Sequence, residues 1–150
     1  MLVQRAKEFA KQKHEGQLRK GGEPFFNHVD RVAKKVRLIN PSAPVVAAAY
    51  LHDVVEDEHA TLDEISHLFG GEVYKLVKLL TRRETESYAE YVLRIAKSGN
   101  VSAMQIKIAD NEDNISSVGD GAFSPEVERS LAERWEWSKD FIKRHMNHGE

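Results

Sequence analysis

The sequence predicts an all-α fold, a single-domain helical bundle, on three observations. Apolar residues recur three and four positions apart along most of the 150 residues, alternating strand patterns are scarce, and helix start and stop signals divide the chain. A first helix is predicted over about Leu2 to His14, burying Leu2, Ala6, Phe9 and Ala10, and it stops in the glycine-rich loop ending at Pro24. A second, from about Phe26 to Leu38, presents Val29, Val32, Ala33 and Val36, with His28 one turn before Val32. Asn40-Pro41 breaks it.

Ser42 is the expected N-cap of a third, alanine-rich and central helix, with Pro44 in its first turn, running to about Glu56. Thr61 and Glu64 form a capping box for a short helix that ends at Phe69 before Gly70-Gly71, and Val73 to Leu80 forms the next. Ser87 and Glu90 form another capping box, opening a helix with Tyr88, Tyr91, Val92 and Ile95 that stops at Gly99. An amphipathic segment follows from about Val101 to Ile115, and the loop SSVGDGAF leads to Ser124-Pro125-Glu126, where the last helix starts. That helix is expected to bury Val127, Leu131, Trp135 and Ile142, while the tail HMNHGE frays. Residues 1–150 read as one domain, because a chain of 17.1 kDa suits a single core.

Composition excludes several functions. A net charge of −2 and a pI near 6.4 provide no basic excess for duplex nucleic acid, though small anionic ligands stay open. With no cysteine, disulfides and thiolate sites are absent, and a reducing cytoplasm is the expected setting. The longest apolar run, Pro44 to Leu51, is too short to span a bilayer, so no membrane role is expected. There is no Walker-type glycine loop, GxSxG, HExxH or dinucleotide fingerprint, which leaves metal-assisted hydrolysis.

The sharpest local feature is HDVVED, residues 52–57, where Asp53, Glu56 and Asp57 share a predicted helix face. Like charges at those spacings cost roughly 0.2–0.5 kcal/mol per pair, and acids near a helix C-terminus oppose the macrodipole. A bound cation would convert that repulsion into coordination; a solvated acidic helix end is the plainer alternative. His52 and Asp53 point about 100° apart on a helix, so one ion can touch both only in the crevice between them. Other helices must then close the shell. His28 and Asp110, each on the polar edge of an apolar face, are the candidates, although either alone could be an ordinary structural residue. Two imidazoles and two carboxylates suit manganese, iron, cobalt or zinc, with positions left open for water.

The loop HEGQLRKGGEP, residues 14–24, offers Arg19 as a bidentate fork and Lys20 as a mobile charge for phosphate, unless it is only an exposed basic turn. Asn114, one turn after Asp110, would flank the same cleft and could bond a base or ribose, or merely end its helix. Tyr88 and Tyr91, at helical spacing, read as core, with stacking on a ligand as the alternative. Trp135 and Trp137 read as packing of the last helix or a contact in a homo-oligomer. Spacing assigns no role to His14, His59 or His67.

Taken in order, AKQKHEGQLRKGGEPFFNHVDRVA, AAAYLHDVVEDEHATLDEISHLFG, KLVKLLT and IKIADNEDN resemble the HD superfamily of metal-dependent phosphohydrolases, over about residues 6 to 118. Within it the chain looks most like the RelA/SpoT-type alarmone hydrolases and their small stand-alone relatives. The resemblance implies the HD-type helical bundle, a divalent metal, typically manganese, on His28, His52, Asp53 and Asp110, and Glu56 and Asp57 as the acidic pair that positions or activates water. It also implies Arg19 and Lys20 near the nucleotide and Asn114 as a nucleoside contact. The implied reaction removes pyrophosphate from the 3′ position of a guanosine alarmone, or is a related phosphoester hydrolysis on another nucleotide. Other readings are a nucleoside 5′-monophosphate phosphatase, a non-catalytic nucleotide sensor that keeps the metal, and a metal-free helical interaction protein. After Asp110 the long alarmone enzymes continue with Arg, a hydrophobe, His and Asn; here Asn111, Glu112, Asp113 and Asn114 follow, as in the stand-alone branch. The two added acids should repel a polyanion unless metal or basic residues offset them.

Overall fold

The protein is described by a computed structural model over residues 1–119 and 123–148. Eight α-helices account for the described elements: α1 (Leu2–Lys13), α2 (Phe25–Ile39), α3 (Ala43–Leu51), α4 (Leu62–Phe69), α5 (Gly71–Leu80), α6 (Tyr88–Lys97), α7 (Val101–Ser116) and α8 (Pro125–His148). No strand occurs among the described residues, and the predicted all-α class holds; a single bridge between Leu18 and Pro24 pinches the loop after α1.

Helix α3 is the centre of the bundle. It packs against α1, α2, α5 and α7, and every residue from Val45 to Leu51 is buried. A helix apolar on all sides can be covered only from all sides, and its buried run Ala47-Ala48-Ala49 lets the neighbours approach closely. Both capping boxes form as expected: Thr61 and Ser87 accept from the backbone N–H groups of Glu64 and Glu90, whose carboxylates accept in return.

Two expectations are corrected. The third helix ends at Leu51, not near Glu56, and residues 52–58 continue as turns, with Asp57 N–H donating to Asp53 O at 3.0 Å and Glu58 at a φ of +62°. Asp53, Glu56 and Asp57 therefore do not share a regular helix face. The looser path lets His52 Nε2 and Asp53 Oδ2 come within 3.0 Å of each other, while the charge of Asp53 still bears on Glu56 and Asp57. At the other end, Val127 is 44% exposed rather than buried. The first turns of α8 present Glu128, Leu131 and Trp135, at spacings of three and four, to a cavity, which leaves Val127 about 100° away on the solvent side. Beyond that stretch Ser138 and Ile142 are fully buried, and the helix persists to His148, where the tail was expected to fray. Of the loop SSVGDGAF, residues 120–122 lie outside the described residues, as do 149 and 150.

Candidate metal centre and substrate cleft

Three separate segments bring the four expected ligands together. His28 comes from the first turn of α2, His52 and Asp53 from the end of α3, and Asp110 from the middle of α7. One donor atom from each lies within 4.8 Å of all the others. His28 Nε2 is 3.0 Å from Asp110 Oδ1 and 3.6 Å from Asp53 Oδ2, and His52 Nε2 is 3.3 Å and 3.0 Å from the same two oxygens. Such spacing suits neighbours around one ion held at about 2.1 Å.

The opposite edges of these groups are fastened. His52 Nδ1–H donates to Ala49 O at 2.6 Å, which is only available because α3 ends there. His28 Nδ1–H donates to Asp113 Oδ2 at 2.7 Å, and Asp110 Oδ2 accepts from the Lys107 ammonium at 2.9 Å. Outer partners of this kind fix ring tautomer and orientation, so both Nε2 atoms and Oδ1 of Asp110 are directed inward. The donor set, two imidazoles and two carboxylates, fits a divalent first-row metal.

The electrostatics of the cluster are dominated by its carboxylates. Burial disfavours charge on His28, yet the carboxylates of Asp110, Asp113 and Asp53 outweigh it and lift its pKa from 6.5 to about 10. His52 is likewise raised against its burial by Asp53 and Asp110. Burial would push Asp53 and Asp110 up, but the imidazoles, and for Asp110 above all Lys107, hold both well below the usual carboxylate range.

Around this core, Glu56 opens to solvent and its Oε1 accepts from the backbone N–H of Arg82 at 2.9 Å, while Asp57 is half-buried and accepts from Gln17 Nε2 at 3.0 Å. Crowding by the protein and then the charge of Asp53 raise the pKa of both carboxyls. Arg19 reaches from the loop to α7, donating to Asn114 Oδ1 at 3.0 Å and Ser117 Oγ at 3.2 Å. Lys20 is exposed. Arg19, Lys20 and Asn114 all line the cavity, about 430 Å³, whose apolar end is made by Phe25, Leu131 and Trp135. Trp135 is thus part of the cleft wall rather than only packing.

The expected repulsion from the acids after Asp110 does not apply to Asp113. Its carboxylate is 2% exposed, bonded to His28, gripped by Arg31 at 2.7 and 3.0 Å, and approached by Arg19 at 3.4 Å. Asn111 is also buried and donates to Ser138 Oγ, tying α7 to α8. Several participants escape sequence reasoning: Lys107, Asp113 as an orienting group, Arg31, Gln17, His14 and His59. Lys107 and Asp113 flank Asp110 at three residues on either side, a helical signal that could have found them. His14, Gln17 and His59 meet only through the loop's fold, and no spacing marks them.

A family model described as "HD domain" matches residues 6–118. Among curated relatives, the chain is 36% identical over 124 residues to the guanosine-3′,5′-bis(diphosphate) 3′-pyrophosphohydrolase of Aquifex aeolicus, covering 77% of this chain and 18% of that protein. It is 33% identical over 127 residues to the GTP pyrophosphokinase rsh of Brucella melitensis, covering 79% and 17%. The chain therefore spans less than a fifth of the length of these relatives. Among solved structures, one described as a metazoan ortholog of SpoT that hydrolyzes ppGpp superposes with a TM-score of 0.76 at 26% identity, over 95% of this chain and 94% of the other. The protein lmo0812 of Listeria monocytogenes superposes with a TM-score of 0.62 at 30% identity, over 79% and 82%.

Proposed function

The chain belongs to the HD domain family, and on that premise we propose that residues 1–150 act as a metal-dependent phosphohydrolase that removes pyrophosphate from the 3′ position of guanosine 3′,5′-bis(diphosphate). The observation that carries this reading is the convergence of His28, His52, Asp53 and Asp110, with each histidine's outer nitrogen already bonded elsewhere. A divalent cation held there, manganese in our reading, would polarise the scissile phosphate and acidify an attacking water. Asp57 takes the proton of that water, and the exposed Glu56 returns one to the departing 3′ oxygen; their raised pKa values bring them nearer a neutral working pH. Arg19 and Lys20 hold the phosphates. Asn114 bonds the nucleoside, whose base fills the apolar end of the cavity beside Trp135.

The test is pyrophosphate release from guanosine tetraphosphate by metal-depleted protein, with and without manganese, alongside Asp53→Ala. Manganese-dependent release that the variant lacks is expected. Manganese binding without release by the wild type would overturn the substrate assignment and leave nucleoside monophosphates as the next to assay.

A further inference from the structure

We propose that Gln17 is a positioning residue for Asp57, its amide orientation set by His14 and His59; the proposal rests on the reading of Asp57 as the group that takes the water's proton. Gln17 Oε1 lies 2.8 Å from His14 Nδ1 and 2.7 Å from His59 Nε2, and Gln17 Nε2 lies 3.0 Å from Asp57 Oδ2. An amide has one accepting and one donating end, so its orientation follows from its neighbours. An ionised Asp57 only accepts, and it requires the NH2 end. Both histidines then face the oxygen and must present N–H. With the opposite orientation the amide oxygen would abut the carboxylate, an acceptor against an acceptor.

His14 is the rigid member of this group. Only 2% of it is exposed, burial lowers its pKa so that it stays neutral, and its ring lies 4.8 Å from that of Phe25. With its one proton on Nδ1 directed at Gln17, its Nε2 is a bare lone pair, buried and without a hydrogen-bond partner among the described residues. Placing the proton on Nε2 would relieve nothing there and would break the bond to Gln17. The tautomer is thereby fixed, and with it the amide. Gln17 engages one oxygen of Asp57, so the rotation of the carboxylate is held while its other oxygen keeps its lone pairs for the water. Gln17 also borders the cavity, at the place where the loop carrying Arg19 passes Asp57. The same short loop thus sets both the phosphate-holding and the proton-accepting groups.

The experiment is a double-mutant cycle of Gln17→Met and Asp57→Asn, assayed on guanosine tetraphosphate with saturating manganese, using single-turnover conditions for the slow variants. In the Asp57-containing protein, Gln17→Met is expected to lower kcat about 10- to 100-fold, with KM and manganese affinity within about threefold. In the Asp57→Asn background the same change is expected to have no effect, because the group it positions is gone. An equal loss in both backgrounds, or a raised KM with unchanged kcat, overturns the proposal, the latter making Gln17 a substrate contact. Should Gln17→Met not fold, His59→Phe, a change at a half-exposed site, replaces it with an expected loss of several-fold in kcat that also vanishes beside Asp57→Asn. A fully active Asp57→Asn would overturn the reading of Asp57 itself, a failure separate from an additive cycle.

Discussion

His28 faces two ways: its Nδ1–H donates to Asp113 Oδ2 across 2.7 Å, and this turns its Nε2 toward Asp53 and Asp110. Asp113 is held in turn by Arg31 on both oxygens. Asp113→Asn keeps an acceptor for His28 but discards the charge that makes the imidazole a strong ligand. Manganese affinity is expected to fall about 10- to 100-fold. A titration of manganese against the metal-depleted variant measures this, and wild-type affinity would mean that His28 needs no orienting carboxylate.

Metal binding should release protons. The folded-state pKa of His28 is about 10 against an ordinary 6.5, so in the metal-free protein its imidazolium contributes stability fully present below pH 6.5 and lost as pH rises through 10. His52 is shifted in the same direction. A cation needs both Nε2 lone pairs, and its binding at pH 8 is expected to displace at least the His28 proton. Calorimetric titration in two buffers of different ionisation enthalpy counts the protons released. Affinity should fall as pH is lowered, and binding without proton release would contradict the ligation.

Lys107 carries the charge that stabilises Asp110 before any metal arrives, through a 2.9 Å ion pair that is almost wholly buried. Lys107→Met leaves that carboxylate without its strongest partner. Removing one member of a buried pair costs about 3–5 kcal/mol, and a cation bound to Asp110 would offset much of it. The melting temperature of the metal-free variant should drop markedly, with a larger rise on adding manganese than in the wild type. Equal rises in both proteins would place Lys107 outside the influence of the site.

Helix boundaries with chemical signals were legible. The capping boxes at Thr61 and Ser87 satisfy local donors whatever the rest of the chain does, so α4 and α6 start where expected. His28 and Asp110 could be grouped with the His52-Asp53 pair because each stands on the polar edge of an apolar face, and the bundle turns those edges toward the pair. The end of α3 was not legible, since the apolar pattern runs on through Val54 and Val55 while the chain leaves the helix at Leu51. Two contacts accompany the bend, one tertiary and one local: Val54 is fully buried in the core, and His52 bonds the Ala49 carbonyl one turn before it. Asp113 looked like a repulsive acid because its partner Arg31 lies 82 residues away, on a helix whose neighbours only the fold decides. The contribution of His14 and His59 was hidden for the same reason, as their common partner Gln17 sits in an irregular loop.

Arg19 combines a structural role with the phosphate-holding role proposed for it. Its guanidinium spans from the loop to Asn114, Ser117 and Asp113, so it fixes the wall of the cavity as well as bringing charge to it. Arg19→Lys preserves the charge but removes the planar fork, and one ammonium cannot serve several acceptors in that geometry while also facing a phosphate. KM for guanosine tetraphosphate is expected to rise about tenfold, equivalent to about 1.4 kcal/mol, with kcat changed by less than about threefold. Initial-rate kinetics at saturating manganese separate the two parameters. A fall in kcat with KM unchanged would instead mean that Arg19 meets charge that exists only in the transition state, since binding lost equally from ground and transition states leaves kcat intact.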